Sequence, residues 1–331
     1  MPATDIVDQG LATFSDYSYR TALVLYLVAM MVHLGEYAKA RVAAVGAVPV
    51  PVGAPAAPPP DAPALGSPTP GRSRAERFGR VAVALTILGA VLHAASLVLR
   101  GAAAYRIPWG NMYEFMSAIC LVAVVGWLVV LARSARSGGS SATQPTPELR
   151  RIGAFVLLPV VVLMFLAGTV LYADAAPVMP ALRSYWLAVH VTTASLSSGL
   201  FLISGVASVL FLVRRNPDAT GLVALLPSRD TLDRVAYRTT VIAFPIWTFA
   251  VMTGAIWAEA AWGRYWGWDP KETVAFVAWV VYAGYLHARA TAGWRSGGAA
   301  WVNVFGFVVM LFNLFFVNLV TAGFHSYAGV N

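Results

Sequence analysis

The sequence predicts an all-α polytopic membrane protein of about eight transmembrane helices, and three observations carry that expectation. Hydrophobic residues fill 59% of the 331 positions and charged residues 11%, with a mean hydropathy of +0.68, so too little polar surface exists to wrap a soluble core. Apolar windows long enough to cross a hydrocarbon layer of roughly 30 Å, about 20 helical residues, recur eight times. None alternates with the period of a strand, and lipid obliges each crossing segment to satisfy its own backbone, as a helix does.

The first window, near 20–38, follows an acidic tail with Asp5, Asp8 and Asp16. It has neither a basic leader nor a small-residue cleavage site and is expected to remain as an anchor, so residues 1–41 form a first unit. Residues 42–71 are rich in Pro, Ala and Gly and lack aromatics, which predicts a disordered cytoplasmic loop over 42–80. The other windows lie near 81–99, 113–133, 152–172, 186–213, 237–258, 272–292 and 301–321, making 81–331 the membrane core, with a shorter linker at 134–147. The single cysteine, Cys120, falls inside the third window. Without a Cys-x-x-Cys pair or a disulfide framework, any thiol chemistry has to come from another protein.

Orientation follows from the cations. With the N-terminus outside, 17 of the 23 Lys and Arg fall on the inner side and six outside: Arg20, Arg100, Arg106, Arg183, Arg264 and Lys271. The positive-inside rule therefore places both termini outside. The same bias accounts for the net charge of +8, and no nucleic-acid-binding pattern accompanies it.

Residues 257–276, WAEAAWGRYWGWDPKETVAF, interrupt the membrane pattern between the sixth and seventh windows. Trp257, Trp262, Trp266 and Trp268 are too concentrated for scattered interface anchors. With Gly263 and Gly267 between them, they predict a flat aromatic platform whose backbone a planar ligand can approach closely. Asp269, Pro270 and Glu272 also read as a helix start: an N-cap, a proline at the first helical position and a capping-box acid three residues on. Capping can use both carboxylates fully.

The five histidines are His33, His93, His190, His287 and His325. His190 and His325 sit at the outer ends of windows five and eight and flank the tryptophan segment. His93 and His287 lie within windows two and seven, where an ionisable group is costly; each either ligates a cofactor or hydrogen-bonds a neighbouring helix in a relay. His33, at the inner end of window one, reads as interfacial. Paired imidazoles suit haem iron, whereas a structural zinc site wants four nitrogen or sulfur ligands and the chain has one thiol. At about 1.5 Å per residue, His93 lies some 10 Å and His287 some 20 Å below the outer ends of their windows, so shared ligation requires tilted or offset helices.

Those residues carry a family likeness. The 257–276 segment resembles the WWD signature of haem-handling membrane proteins. VLHAASLVLRG around His93, PWGNMYEFM at 108–116, YWLAVHV around His190, YAGYLHARA around His287 and FHSYAG around His325 together resemble the CcsA, or ResC, family of System II cytochrome c biogenesis. The likeness spans 81–331. Val274 stands where that family commonly shows another Trp, and Ala260 where a polar residue is usual.

The resemblance implies that His93 and His287 are transmembrane ligands of haem b and that His190 and His325 are the external pair. It also implies that Trp262, Trp266, Trp268 and Asp269 cradle haem outside. The implied activity is moving haem to the external face and joining its vinyl groups to the thiols of a Cys-x-x-Cys-His motif in apocytochrome c, as the haem-handling subunit of a synthase complex. Arg100, Arg106, Arg183, Arg264 and Lys271 are the outer cations able to meet the propionates. Implied partners are a ResB/CcsB-type membrane protein and a thioredoxin-like thiol reductant. An Arg-rich composition with only two Lys points to a bacterial plasma membrane. Two other functions fit parts of the sequence: a System I type haem chaperone or exporter, and a proton-coupled transporter using His93 and His287 without haem.

Overall fold

The structure, a computed structural model, describes residues 7–46, 74–137, 147–215, 223–291, 294 and 297–319. Among them are eight α-helices and no strand: α1 (Gln9–Gly46), α2 (Arg74–Ala103), α3 (Met112–Ser137), α4 (Pro147–Thr169), α5 (Tyr185–Val213), α6 (Arg229–Trp262), α7 (Pro270–Thr291) and α8 (Gly297–Leu319). Each overlaps one apolar window. Seven are long and apolar enough to cross a membrane; in α7, 22 residues long, Trp279, Tyr282, Tyr285, His287 and Arg289 dilute the apolar run. The chain is an all-helical, multi-pass membrane protein.

The helix ends differ from the windows. Hydropathy marks only the stretch inside lipid, whereas a helix continues until its backbone is capped or turned. Thus the 34 residues of α6 run between two caps, Ser228, whose Oγ accepts from Thr231 N, and Gly263. Helix α1 likewise runs to Gly46, into the predicted 42–71 linker; positions 47–71 and most of the second linker lie outside the described residues.

Helix α1 shows how the bundle packs. Ser15, Tyr19, Ala22, Tyr26, Ala29, His33 and Glu36 recur at helical spacing and are all buried, while Phe14, Tyr17, Val24, Met31 and Leu34 are exposed. In lipid the outward face can be apolar, so polar side chains gather on the protein-facing stripe. Helices α1 and α2 pack extensively on each other, as do α5 and α6. Helix α3 joins the two groups by packing on both α4 and α5, and α8 lies on α5 and α7. Close approach between α3 and α5 depends on Gly199, where a Cβ would sit 2.6 Å from Val122 Cγ1.

His33 departs from the interfacial expectation. It is 0% exposed, edge-on to Trp127 with centroids 5.6 Å apart, and its Nδ1 lies 3.9 Å from Glu36 Oε2. Arg150 on α4 clamps the same carboxylate, with Nη2 donating to Oε1 at 2.7 Å and Nε to Oε1 at 3.1 Å. A polar residue near the end of a span can therefore face protein instead of headgroups, because helical phase, not depth, decides which it meets.

Candidate functional site

The tryptophan segment folds as the end of α6, a short turn and the start of α7. Gly263 ends α6 in the left-handed region at φ 71°, its N–H donating to Glu259 O at 2.8 Å, so its role is a helix cap. Helix α7 opens with the predicted capping box. Glu272 N donates to Asp269 Oδ1 at 2.8 Å, and Glu272 Oε2 accepts from Asp269 N at 3.2 Å and Gly267 N at 2.8 Å. That second carboxylate fastens the turn to the helix. Trp268 adopts φ 57°, uncommon for a bulky residue, and is 66% exposed. Gly267 makes room for Arg264: a Cβ there would lie 2.2 Å from Arg264 Cζ.

Asp269→Ala is expected to cost about 1 kcal/mol, the usual worth of an N-cap. Faster hydrogen exchange at the Glu272 amide, with most of the bundle unchanged, is the measurement that checks it.

The indoles form edge-to-face pairs, an arrangement their quadrupoles favour. Trp257 meets Trp262 at 4.8 Å and 62°, and Trp266 meets Trp268 at 5.7 Å and 87°. They make a folded aromatic wall in place of one flat sheet. Behind it opens a cleft enclosing about 1000 Å³ of space, open solvent at its mouth included. Phe115 and Ile119 of α3 and Leu202 of α5 line its apolar depth, with Trp247 of α6 and Phe307 and Met310 of α8. His190, Trp257, Trp262, Trp266, Lys271 and Glu272 add aromatic and polar groups. The Nε1 groups of Trp247 and Trp266 have no acceptor among the described residues.

His190 is the one described histidine in the cleft. Its Nδ1 lies 2.8 Å from Ala250 O, and a carbonyl only accepts, so Nδ1 carries the proton and Nε2 the lone pair in the neutral ring. A backbone carbonyl on one ring nitrogen is also what orients metal-binding imidazoles.

The other sequence candidates are placed as follows. His325 lies outside the described residues. His93 is fully buried between α1 and α3, its Nε2 2.8 Å from Ser117 Oγ and its Nδ1 3.4 Å from Tyr26 Oη. His287 is exposed on α7, which packs on α6 and α8, whereas α2 packs on α1, α3 and α4. The structure thus holds His93 and His287 in separate helix groups.

Of the cations expected on the outer side, Lys271 lines the cleft, its Nζ donating to Asn313 O at 3.2 Å, and Arg264 lies on the adjoining turn. Arg183 Nε donates to Val178 O at 3.2 Å. Arg100 and Arg106 converge instead on Glu114, a carboxylate with 0% exposure. Sequence reasoning missed Trp247 and Gly254. Their spacing from Ala250 and Trp257 on one face of α6 was visible, but the partner that gives it meaning comes from α5.

Fold and site together define a polytopic helical membrane protein with an aromatic cleft holding one oriented imidazole. The chain belongs to the cytochrome c assembly protein family, whose pattern matches residues 109–325, and it is similar to curated CcsA proteins. A protein named cytochrome c biogenesis protein CcsA from Synechococcus sp. (strain CC9902) is 31% identical over 268 residues, 73% of this chain and 85% of that protein. CcsA of Guillardia theta is 37% identical over 180 residues, covering 47% of this chain and 58% of the relative. CcsA of Chlamydomonas reinhardtii is 40% identical over 158 residues, 48% and 45% respectively. Against those two relatives the match spans about half of their length.

Proposed function

We propose that this chain is a cytochrome c biogenesis subunit of the System II type. In this reading it moves haem to the external membrane face and presents it to apocytochrome c. The observation that carries the proposal is His190, seated in an aromatic cleft beside the tryptophan turn with its Nε2 lone pair set by the Ala250 carbonyl. The residues present fit haem as the substrate. Indole and phenylalanine rings would cover an apolar macrocycle, an imidazole nitrogen would meet iron, and Lys271 in the cleft with Arg264 on the adjoining turn would neutralise propionates.

In this reading His190 and His325 hold iron outside, with the termini and the tryptophan turn extracytoplasmic. A second, transmembrane position would draw on His93 and His287; because they stand in separate helix groups, it requires α2 and α7 to move together, and ligation by His93 would replace its contact with Ser117. The chain's contribution to attachment is orientation: it fixes the ring while each cysteine S–H of the client adds across a vinyl C=C. An S–C and a C–H bond form as the S–H and π bonds break, so no oxidant is consumed. Cys120 is buried inside the bundle, so reduced thiols come from the client, kept so by a thioredoxin-like donor. A ResB/CcsB-type membrane protein supplies the large external surface that grips it.

The test is the absorption spectrum of protein purified from haem-replete cells. Wild type is expected to carry a Soret band, and His190→Ala to lose haem affinity by at least the roughly 10–100-fold that even an outer partner of a metal ligand is worth. A colourless wild type, or an unchanged band in His190→Ala, refutes the reading.

A further inference from the structure

We infer that one stripe of α6, Ala250–Gly254–Trp257, is a seat that fixes the ring of His190, and that Gly254 is its positioning residue. The three positions follow at intervals of four and three residues and so share one helix face, turned toward α5. Each meets the imidazole differently. The Ala250 carbonyl takes the Nδ1 proton at 2.8 Å. The Trp257 indole, 2% exposed, lies nearly parallel to the ring, at 12° with centroids 6.1 Å apart. Gly254 contributes space: a Cβ there would lie 2.7 Å from both Cε1 and Nδ1 of His190.

A single methyl at Gly254 therefore cannot coexist with the observed ring position. The obstacle is the imidazole itself, held in a short α5–α6 contact, and relief requires the ring to swing away from the Ala250 carbonyl. That swing breaks the bond that places the proton on Nδ1 and re-aims Nε2 in the cleft. Helix stability is not the cause, because alanine favours a helix over glycine. The consequence for haem rests on the function proposed above; the seat itself does not.

The experiment uses full-length protein in detergent micelles with 15N-labelled histidine. In wild type without haem, the signal absent from His190→Ala is expected to report the Nδ1–H tautomer; in Gly254→Ala it is expected to change to exchange between tautomers. Gly284→Ala is the control, since a Cβ at that α7 position meets nothing within 4 Å, and its His190 signal should match wild type. With haem bound, Gly254→Ala should lose more than half of its low-spin absorption while Gly284→Ala keeps it. An Nε2–H signal for His190 in wild type overturns the seat even if Gly254→Ala does not fold. So does a Gly254→Ala protein with the wild-type signal. A colourless wild type with the expected tautomer pattern supports the seat and overturns the haem reading instead, so the two failures are told apart.

Discussion

Glu114→Ala is expected to destabilise the protein by about 3–5 kcal/mol, the range for removing one partner of a buried ion cluster. Glu114 is 0% exposed and accepts four bonds: from Arg100 Nε at 2.9 Å, Arg106 Nη1 at 2.7 Å, Arg106 Nη2 at 2.9 Å and Gly110 N at 2.7 Å. Arg100 is itself 1% exposed, stacked 4.7 Å from the Tyr113 ring centroid and bonded to the Ala173 carbonyl. Arg106 donates to Ala176 O at 2.8 Å. The carboxylate thus ties α2 and α3 to the segment that follows α4. Alanine leaves the buried Arg100 guanidinium stranded, beyond what the Asp16 carboxylate 3.7 Å away can offset. Glu114→Gln keeps an acceptor and most of the shape, so its loss should be smaller, about 1–3 kcal/mol. Unfolding midpoints in mild detergent measure both; an alanine variant matching wild type would show that the cluster contributes nothing.

The second large effect belongs to the opposite end of the bundle. Glu36→Ala is expected to cost a similar 3–5 kcal/mol, because Arg150, 3% exposed, loses its clamp and His33 its neighbouring carboxylate. The informative comparison is the double replacement Glu36→Leu with Arg150→Met. A buried pair gains little over an apolar packing of similar volume, so the double variant should recover most of the loss. The same midpoints, read as a double-mutant cycle, decide it. A double variant as unstable as the sum of the two single variants would mean the pair does not act as a unit.

How much of this was legible without coordinates varies with the range of the interaction. The capping box at Asp269 and Glu272 was readable because all its partners lie within a few residues. The Arg100–Glu114–Arg106 cluster was not: the cations looked available for a ligand, and only the packing of α2, α3 and the segment after α4 shows that a carboxylate takes them. His190 stood out by its place at a helix end beside the tryptophans. Its tautomer depends on a carbonyl 60 residues away, on a face of α6 that no local pattern matches to it.

The sequence by itself determined that the chain is helical and membrane-embedded, which stretches form its eight helices and where α7 begins, since hydropathy and capping act over one or two turns. The tertiary structure decided which helix faces meet. It put His33 against protein, gave Arg100 and Arg106 to Glu114, closed the indoles into edge-to-face pairs and set His190 over Gly254. The physical reason is that in lipid nearly every helix surface can be apolar. Hydrophobicity then fixes the existence of a helix but not its rotation, which is chosen by close packing and by the pairing of buried polar groups between helices far apart in sequence.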